Sequence, residues 1–389
     1  MSPLTVRVAR TDQEIAELRP FWGEASDRLE NAPEYFELIS ACRDTIETPY
    51  LIAVEDGSGP VALLLCRIEQ IRLTSRFAYF RLGNFPLRSL TAVYNGLVGR
   101  ADAEVLELMA GAIAGALDDG TAEVANIRYV RERSLLDTAL TNLAIPTRRR
   151  SFGPVEVHRA LDISGSYDDV INLRSSSTRK RLRRYARSIE GTDGFRLDVI
   201  DDATNLPAVM DDLETVAAKT YQRAMNSGFF HNEEWARVMQ MGFERGWFRL
   251  WIAYADGKPV SYAGGFTYRG VFYSYLKGYD PDYAQLSIGT YLLLRMISDL
   301  IDAGDAKMVD YGFGDAEYKR SYSTESWSER THMLFAPSFK GERVAMTIKT
   351  VNSLSETAKS VARRLNIEQR AKTLLRRNMA DKDRSPGGE

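Results

Sequence analysis

Histidine and cysteine are scarce, with three of one and two of the other in 389 residues. His158, His231 and His332 lie far apart, and Cys42 and Cys66 share no metal-type spacing. A zinc site, a Ser-His-Asp arrangement and a disulfide framework are therefore poor fits, and so sparse a use of cysteine suits a reducing compartment. An excess of one charge is also missing. The 51 basic and 53 acidic side chains nearly cancel, leaving a net charge of −2, so no global field draws the chain to nucleic acid. No apolar run approaches the length of a membrane span. The opening MSPLTVRVARTDQE has no apolar core of the kind a signal peptide needs. A cytoplasmic protein is expected, with the inner face of the membrane as the second location. What is present is an ordinary globular composition, 44% hydrophobic. The length exceeds one ordinary domain and points to two.

Two segments of the chain resemble each other. Leu51 to Glu69 reads as strand, Asp-Gly turn, strand. Leu250 to Asp280 reads the same way, with an Arg-Gly turn and a third strand added. After each comes an apolar-periodic helix that runs into a glycine, Gly120 in one case and Gly304 in the other, and then a short strand. This is an internal repeat of about half the chain, with the join near Ile145 to Asp168. Beyond the join, LRSSSTRKRLRRYARSIE (Leu173 to Glu190) is basic. Leu182, Tyr185 or Ala186, and Ile189 fall on one helical face of it. The last fifty residues carry a second stripe, Ile348, Val351, Leu354, Ala358, Val361 and Leu365, and an excess of basic charge. They end in MADKDRSPGGE, which has the composition of a disordered tail.

The sharpest motifs lie near YDPDYAQLSIGTYLLL and DYGFGDAEYK. Ser287, Ile288, Gly289 and Thr290 sit where a strand-rich segment turns into a helix. Such a start offers free N–H groups and a positive dipole end, and glycine there lets the backbone approach a phosphate. It equally suits an ordinary cap, with Ser287 as the N-cap. In DYGFGDAEYKRSY (Asp310 to Tyr322), Gly312 and Gly314 permit an unusual turn. Asp315 precedes Lys319 by four residues, the spacing of a surface ion pair. Asp310 reads as structural.

These two motifs, with the basic run before them, resemble the GNAT acyltransferase superfamily. The similarity is to its FemAB-like branch, many of whose members are described as CelD-like, cellulose-biosynthesis acetyltransferases. The resemblance is strongest from Leu173 to Tyr322 and weak in the first half. It implies an α/β (α+β) fold of two tandem GNAT-like domains with mixed sheets flanked by helices, plus a C-terminal basic helix. The expected boundaries are 1–160, a catalytic 161–340, and 341–389 as basic amphipathic helix and tail. It implies an acyl-CoA-dependent N-acyltransferase with no metal, acting on a primary amine of an amino sugar or of a lipid such as a sphingoid base. Ser287 to Thr290 would bind the pyrophosphate of acyl-coenzyme A, although the usual glycine-rich loop is reduced here to Gly289. Forming an amide from a thioester needs a neutral amine, an oxyanion partner and a proton for the departing thiolate. Lys319 would supply positive charge, Tyr318 a proton, and Asp315 would orient the amine or take its proton. His231, in GFFHNEEW, is the histidine placed to act as a base, beside the simpler reading of a surface histidine. Two rivals stand: a FemAB-type transferase using aminoacyl-tRNA, and a non-catalytic protein that kept the fold. The basic C-terminal segment allows peripheral contact with an anionic membrane, and nucleic acid ranks last among the partners.

Overall fold

In the computed structural model, which describes residues 3–77, 80–224 and 228–364, the first half begins with β1 (Thr5–Ala9), α1 (Asp12–Ala25) and α2 (Pro33–Cys42). A meander of β2 (Ile46–Asp56), β3 (Gly59–Phe77) and β4 (Phe80–Gly99) follows. Then come α3 (Ala103–Asp118), β5 (Val124–Arg131) and α4 (Leu135–Asn142). Two short strands, β6 (Arg150–Phe152) and β7 (Glu156–Asp162), lead to α5 (Tyr167–Asn172) and the basic α6 (Ser176–Glu190). The second half repeats the plan. β8 (Arg196–Ile200), α7 (Leu206–Ala217), α8 (Tyr221–Ala224) and α9 (Glu233–Glu244) precede the meander β9 (Phe248–Ala255), β10 (Lys258–Tyr268) and β11 (Val271–Tyr279). It closes with α10 (Ile288–Ala303), β12 (Met308–Phe313), α11 (Glu317–Ser321), β13 (Glu325–Phe335) and α12 (Phe339–Arg364).

All thirteen described strands join one sheet, in the order β1-β2-β3-β4-β5-β13-β7-β12-β11-β10-β9-β8, with β6 beside β13. The expected mixed α/β architecture is therefore present. β4 and β5 run parallel, as do β11 and β12, each pair joined by a crossover helix; the other pairs are antiparallel. The two halves exchange their last strands. β7 of the first half pairs with β12, and β13 of the second half pairs with β5. β7 lies within the join between the repeats and was not visible in the sequence pattern.

Helices cover both faces of the second half. Leu250, Ile252 and Tyr254 of β9 enter one core with α7 and α9, while Trp251, Ala253 and Ala255 enter another with α6 and α10. This is why FRLWIAYA is apolar throughout: both faces of the strand are buried. Leu29, Ala32 and Ile39 of the first half join the α7/α9 core, at roughly 2 kcal/mol for each fully buried large side chain. The α6 stripe behaves as its periodicity predicts, with Ile189 buried and Leu182 packed beside it. Ile348 and Val351 of α12 are buried. Leu365 and the tail lie outside the described residues.

Two irregularities shape the site. Gly264 opposes Leu276 and Gly265 opposes Ser274, so Tyr275 is an extra residue in β11. A side chain at Gly265 would press a Cβ to 1.9 Å from the Tyr273 carbonyl oxygen, so this bulge requires glycine. β11 and β12 pair only from Val271–Met308 to Tyr273–Asp310 and then separate, leaving an opening in the sheet.

Candidate active site

The bulge re-aims the end of β11. Beyond Tyr275, Lys277 and Tyr279 face the side of the sheet that carries α10, where they line a pocket of about 540 Å³ with Ser287, Ile288, Gly289, Thr290 and Tyr318. α6 closes it with Arg174 just before the helix and Arg181 on it. Ser287 is the N-cap residue of α10, but it does not cap in the expected way. It sits in the left-handed region at φ 55°, and its side chain makes no hydrogen bond to the helix. The leading amides of α10 therefore point into the pocket without a side-chain oxygen in front of them. The corresponding helix of the first half, α3, is capped by the Asp102 carboxylate, which accepts from Val105 N at 3.2 Å. An anion would meet a carboxylate there. Of these two crossover helices, only α10 starts without a side-chain oxygen in front of it.

The residues around this start suit a phosphate. The Nε of Arg174 is buried and has no hydrogen-bond partner among the described residues. An anion in the pocket would satisfy that donor. Gly289 serves the shape of the pocket, since a Cβ there would meet the Tyr279 ring at 2.9 Å.

Lys277 is the cation that the sequence reading missed. Its Nζ lies 3.1 Å from the centroid of the Tyr318 ring. Burial, with the charge of Lys319 added, pushes its pKa down to about 7. Lys319 itself is 8% exposed, and its Nζ donates to the carbonyl oxygens of Tyr311, at 2.5 Å, and Phe313. Burial pulls it down to about 8, against the opposing charge of Asp310. Its ammonium is thus committed to the backbone at the exit of β12, where Gly312 has φ 64° and Gly314 φ 94°. It shapes the turn and bears on Lys277 through its charge.

Asp315 departs from the expected pairing. It binds Arg159 at 2.8 Å and Arg320 at 2.7 Å, while Lys319 turns inward. Asp315 lies ahead of α11, whose cap is Ala316, so the helical four-residue spacing does not bring it to Lys319. The hydrogen bond from Arg320, then that from Arg159, outweighs desolvation and holds this exposed carboxyl below its usual range, which ill suits a proton acceptor. Tyr318 lines the pocket as expected. His231 stands apart on the α7/α9 side, exposed, with Nδ1 3.2 Å from Asp211. The structure therefore brings Tyr318 together with Ser287 to Thr290, places Lys319 just behind them, and leaves Asp315 and His231 outside.

On the other side of the opening lies a second cavity, of about 390 Å³, between the two halves. Asp310 lines it and is more than a strand residue. His158 Nε2 donates to Asp310 Oδ1 at 2.6 Å, and Tyr94 OH lies 3.1 Å from His158 Nδ1. Desolvation alone would lower the His158 pKa, but hydrogen bonds to Asp310 and Glu329 carry it up to about 9. A histidine held charged at neutral pH cannot act as a base. Among the described residues no group of three or more His, Cys, Asp or Glu side chains could hold a metal. No helix of the described residues is long and apolar enough to cross a membrane.

Comparison with known proteins agrees with this geometry. Residues 176–320 match the family model of the acetyltransferase (GNAT) domain. No curated protein matches the chain. Among solved structures, FemX is similar at a TM-score of 0.55 and 11% identity, covering 84% of this chain and 96% of that one. So is the C-terminal (DUF2156) domain of a protein described as a lysylphosphatidylglycerol synthetase from Agrobacterium fabrum. Its TM-score is 0.51 at 14% identity, over 88% of this chain and 96% of that one. At such identities these likenesses concern the fold.

Proposed function

We propose that this chain, whose residues 176–320 match the acetyltransferase (GNAT) domain model, is an N-acyltransferase that takes its acyl group from acyl-coenzyme A bound at the start of α10. The acceptor is a primary amine of an amino sugar or of a lipid amine. The observation that carries the reading is the uncapped start of α10, flanked by Arg174 with its unpaired donor, Arg181 and Lys277. The pyrophosphate would lie against the α10 amides and the two arginines. The thioester would reach the opening between β11 and β12, beside Lys277. Catalysis then belongs to a second domain over 161–340, with the first half completing the acceptor side.

Chemically, the neutral amine attacks the thioester carbonyl, the new C–N bond forms, and the C–S bond breaks. Lys277, protonated, supplies the proton for the departing thiolate, and the proton lost from nitrogen passes to a base on the acceptor side. No covalent acyl-enzyme is needed. Cys66 is buried, and desolvation raises its thiol far above the usual range, away from nucleophilic thiolate.

The test is release of free thiol from acetyl-coenzyme A by the purified protein, with glucosamine or a long-chain amino alcohol as acceptor. Acceptor-dependent release is expected. Arg174→Ala and Arg181→Ala should each weaken coenzyme A binding about tenfold, in line with a charge-assisted hydrogen bond. Calorimetry with desulfo-coenzyme A measures this, and unchanged affinity in both variants rejects the site. A second reading, transfer from an aminoacyl-tRNA, is favoured by one feature. α6 exposes Arg183, Arg184 and Arg187 beside Arg181, more charge than one pyrophosphate requires. Salt-sensitive tRNA binding, with no thiol release, would select it.

A further inference from the structure

Glu30 belongs to the first half, yet it points into the cavity beside the opening of the second. Its Oε1 accepts a hydrogen bond from Tyr275 OH, the bulged residue of β11, at 2.7 Å. Its Oε2 is buried and has no partner among the described residues. The Tyr273 hydroxyl, on a side chain only 3% exposed, lines the same cavity; the Arg28 guanidinium lies beside it, and no well-formed hydrogen bond reaches it among the described residues. Asp310 lines the cavity as well. Asp310 is already paired with the charged His158, and Arg43, Arg67 and Arg128 line the cavity too, so the open acceptor is Glu30 Oε2. With the Tyr273 hydroxyl and the aromatic walls it forms a place for a small ammonium that can donate several hydrogen bonds.

The segment that carries Glu30 is pinned from several directions. Asn31 is fully buried; its side-chain oxygen accepts from Ser26 Oγ and from the Asp27 and Arg28 amides. Its side-chain nitrogen donates to the Asn95 carbonyl oxygen of β4 at 2.9 Å. Ser26 Oγ is 2.9 Å from Tyr268 OH of the second half. Leu29 and Ala32, on either side, are buried in the α7/α9 core. This mooring holds the Glu30 side chain in one place at the cavity wall.

We infer that this cavity binds the primary ammonium of the acceptor, and that Glu30 takes the proton the ammonium must lose before it attacks the thioester. The inference rests on the acyl-transfer reading for its second clause only. The step balances: R–NH3+ and the Glu30 carboxylate give R–NH2 and the carboxylic acid. Glu30 passes this first proton to water in the open cavity. The amine then forms the C–N bond as the C–S bond breaks, Glu30 takes the second nitrogen proton, and Lys277 protonates the thiolate. The groups around Glu30 are Tyr273 and Tyr275 on β11, Asp310 on β12, Tyr35 on α2, Tyr94 on β4, and the neighbouring Arg28 and Asn95, with Arg43, Arg67, Glu69, Arg128 and His158 lining the rest of the cavity. Burial above all, with the charge of Asp310 added, raises the Glu30 carboxyl and makes it a better proton acceptor than a surface glutamate.

The experiment titrates glucosamine and ethanolamine, by calorimetry at pH 7.5, into wild type, Glu30→Gln and Tyr273→Phe. Wild type should bind at least one amine. Glu30→Gln should lose at least tenfold in affinity and Tyr273→Phe a few-fold, with desulfo-coenzyme A binding unchanged in both. In the thiol-release assay Glu30→Gln should fall about a hundredfold at pH 7.5 and less at pH 9.5, where more of the amine is already neutral. A folded wild type that binds neither amine, or a Glu30→Gln variant that binds both as tightly, overturns the inference. Amine binding that depends on Glu30 without acceptor-dependent thiol release defeats the acyl-transfer reading instead and leaves the amine site standing.

Discussion

Replacing Lys277 by methionine is expected to lower kcat about a hundredfold and to make the protein more stable. The loss follows from removing the proton donor for the thiolate, an effect within the usual range for general acid catalysis. The gain follows from the lowered pKa. In the folded chain Lys277 titrates at about 7, against 10.5 for an ordinary lysine. Between those values the unfolded chain binds a proton that the folded one does not, so stability rises with pH across the window. Below about pH 7 the folded protein carries the full cost of a charge held beside Lys319. Methionine keeps the stem and removes the cost. Melting curves at pH 7 and 10 should show the variant ahead at pH 7 by more than at pH 10. The wild-type rate should also fall as pH rises through 7, a limb absent from the variant. Equal rates for the two proteins would remove Lys277 from the chemistry.

His158→Ala should destabilise the fold by about 3–5 kcal/mol, the cost of breaking a buried ion pair from one side. His158 is fully buried. It stacks on Trp327 of β13 with centroids 4.3 Å apart, and its ring bonds to Asp310 of β12 and contacts Glu329. Without it the two buried carboxylates lose the positive charge set between them. The sign of the pH dependence is opposite to that of Lys277. The folded pKa, about 9, lies above the ordinary 6.5. The stabilisation is therefore complete below about pH 6.5 and is lost as pH rises through 9, with a total on the order of 3 kcal/mol. Urea unfolding at pH 6, 7.5 and 9.5 should show a midpoint that falls with pH in wild type and is flatter in the variant. Parallel dependence in both would show that His158 is not the group responsible.

Local chemistry explains which parts of this arrangement the sequence announces. The repeat was legible because each unit carries its own turns, periodic helix and glycine stop. The start of α10 was legible because a helix beginning at glycine after a strand is a local signal. Lys319 and Asp315 were legible as unusual residues, but not in their roles, because the helix starts only at Glu317 and leaves Asp315 outside it. Lys277 was hidden because an alternating strand gives its face only if the register is regular. The Gly264–Gly265 pair was the available hint that it is not. Glu30 and His158 carry no local signal at all. Glu30 meets Tyr275, and His158 meets Asp310, only once strands and helices far apart in the chain are assembled.

The exchange of β7 and β13 decides the order in which the chain can become itself. During synthesis the edge of β5 that β13 will cover is finished when residue 131 emerges, yet its neighbour, residues 325–335, is made only about two hundred residues later. The first half must wait, with an open edge, for the end of the second. Halves cut apart after Asp162 should thus each fail to fold alone and recover only when mixed, whereas a chain of beads would give two folded pieces. Circular dichroism of the separate fragments and of their mixture distinguishes the two. A message cut short before residue 325 does not make a shortened enzyme; it makes an unclosed sheet.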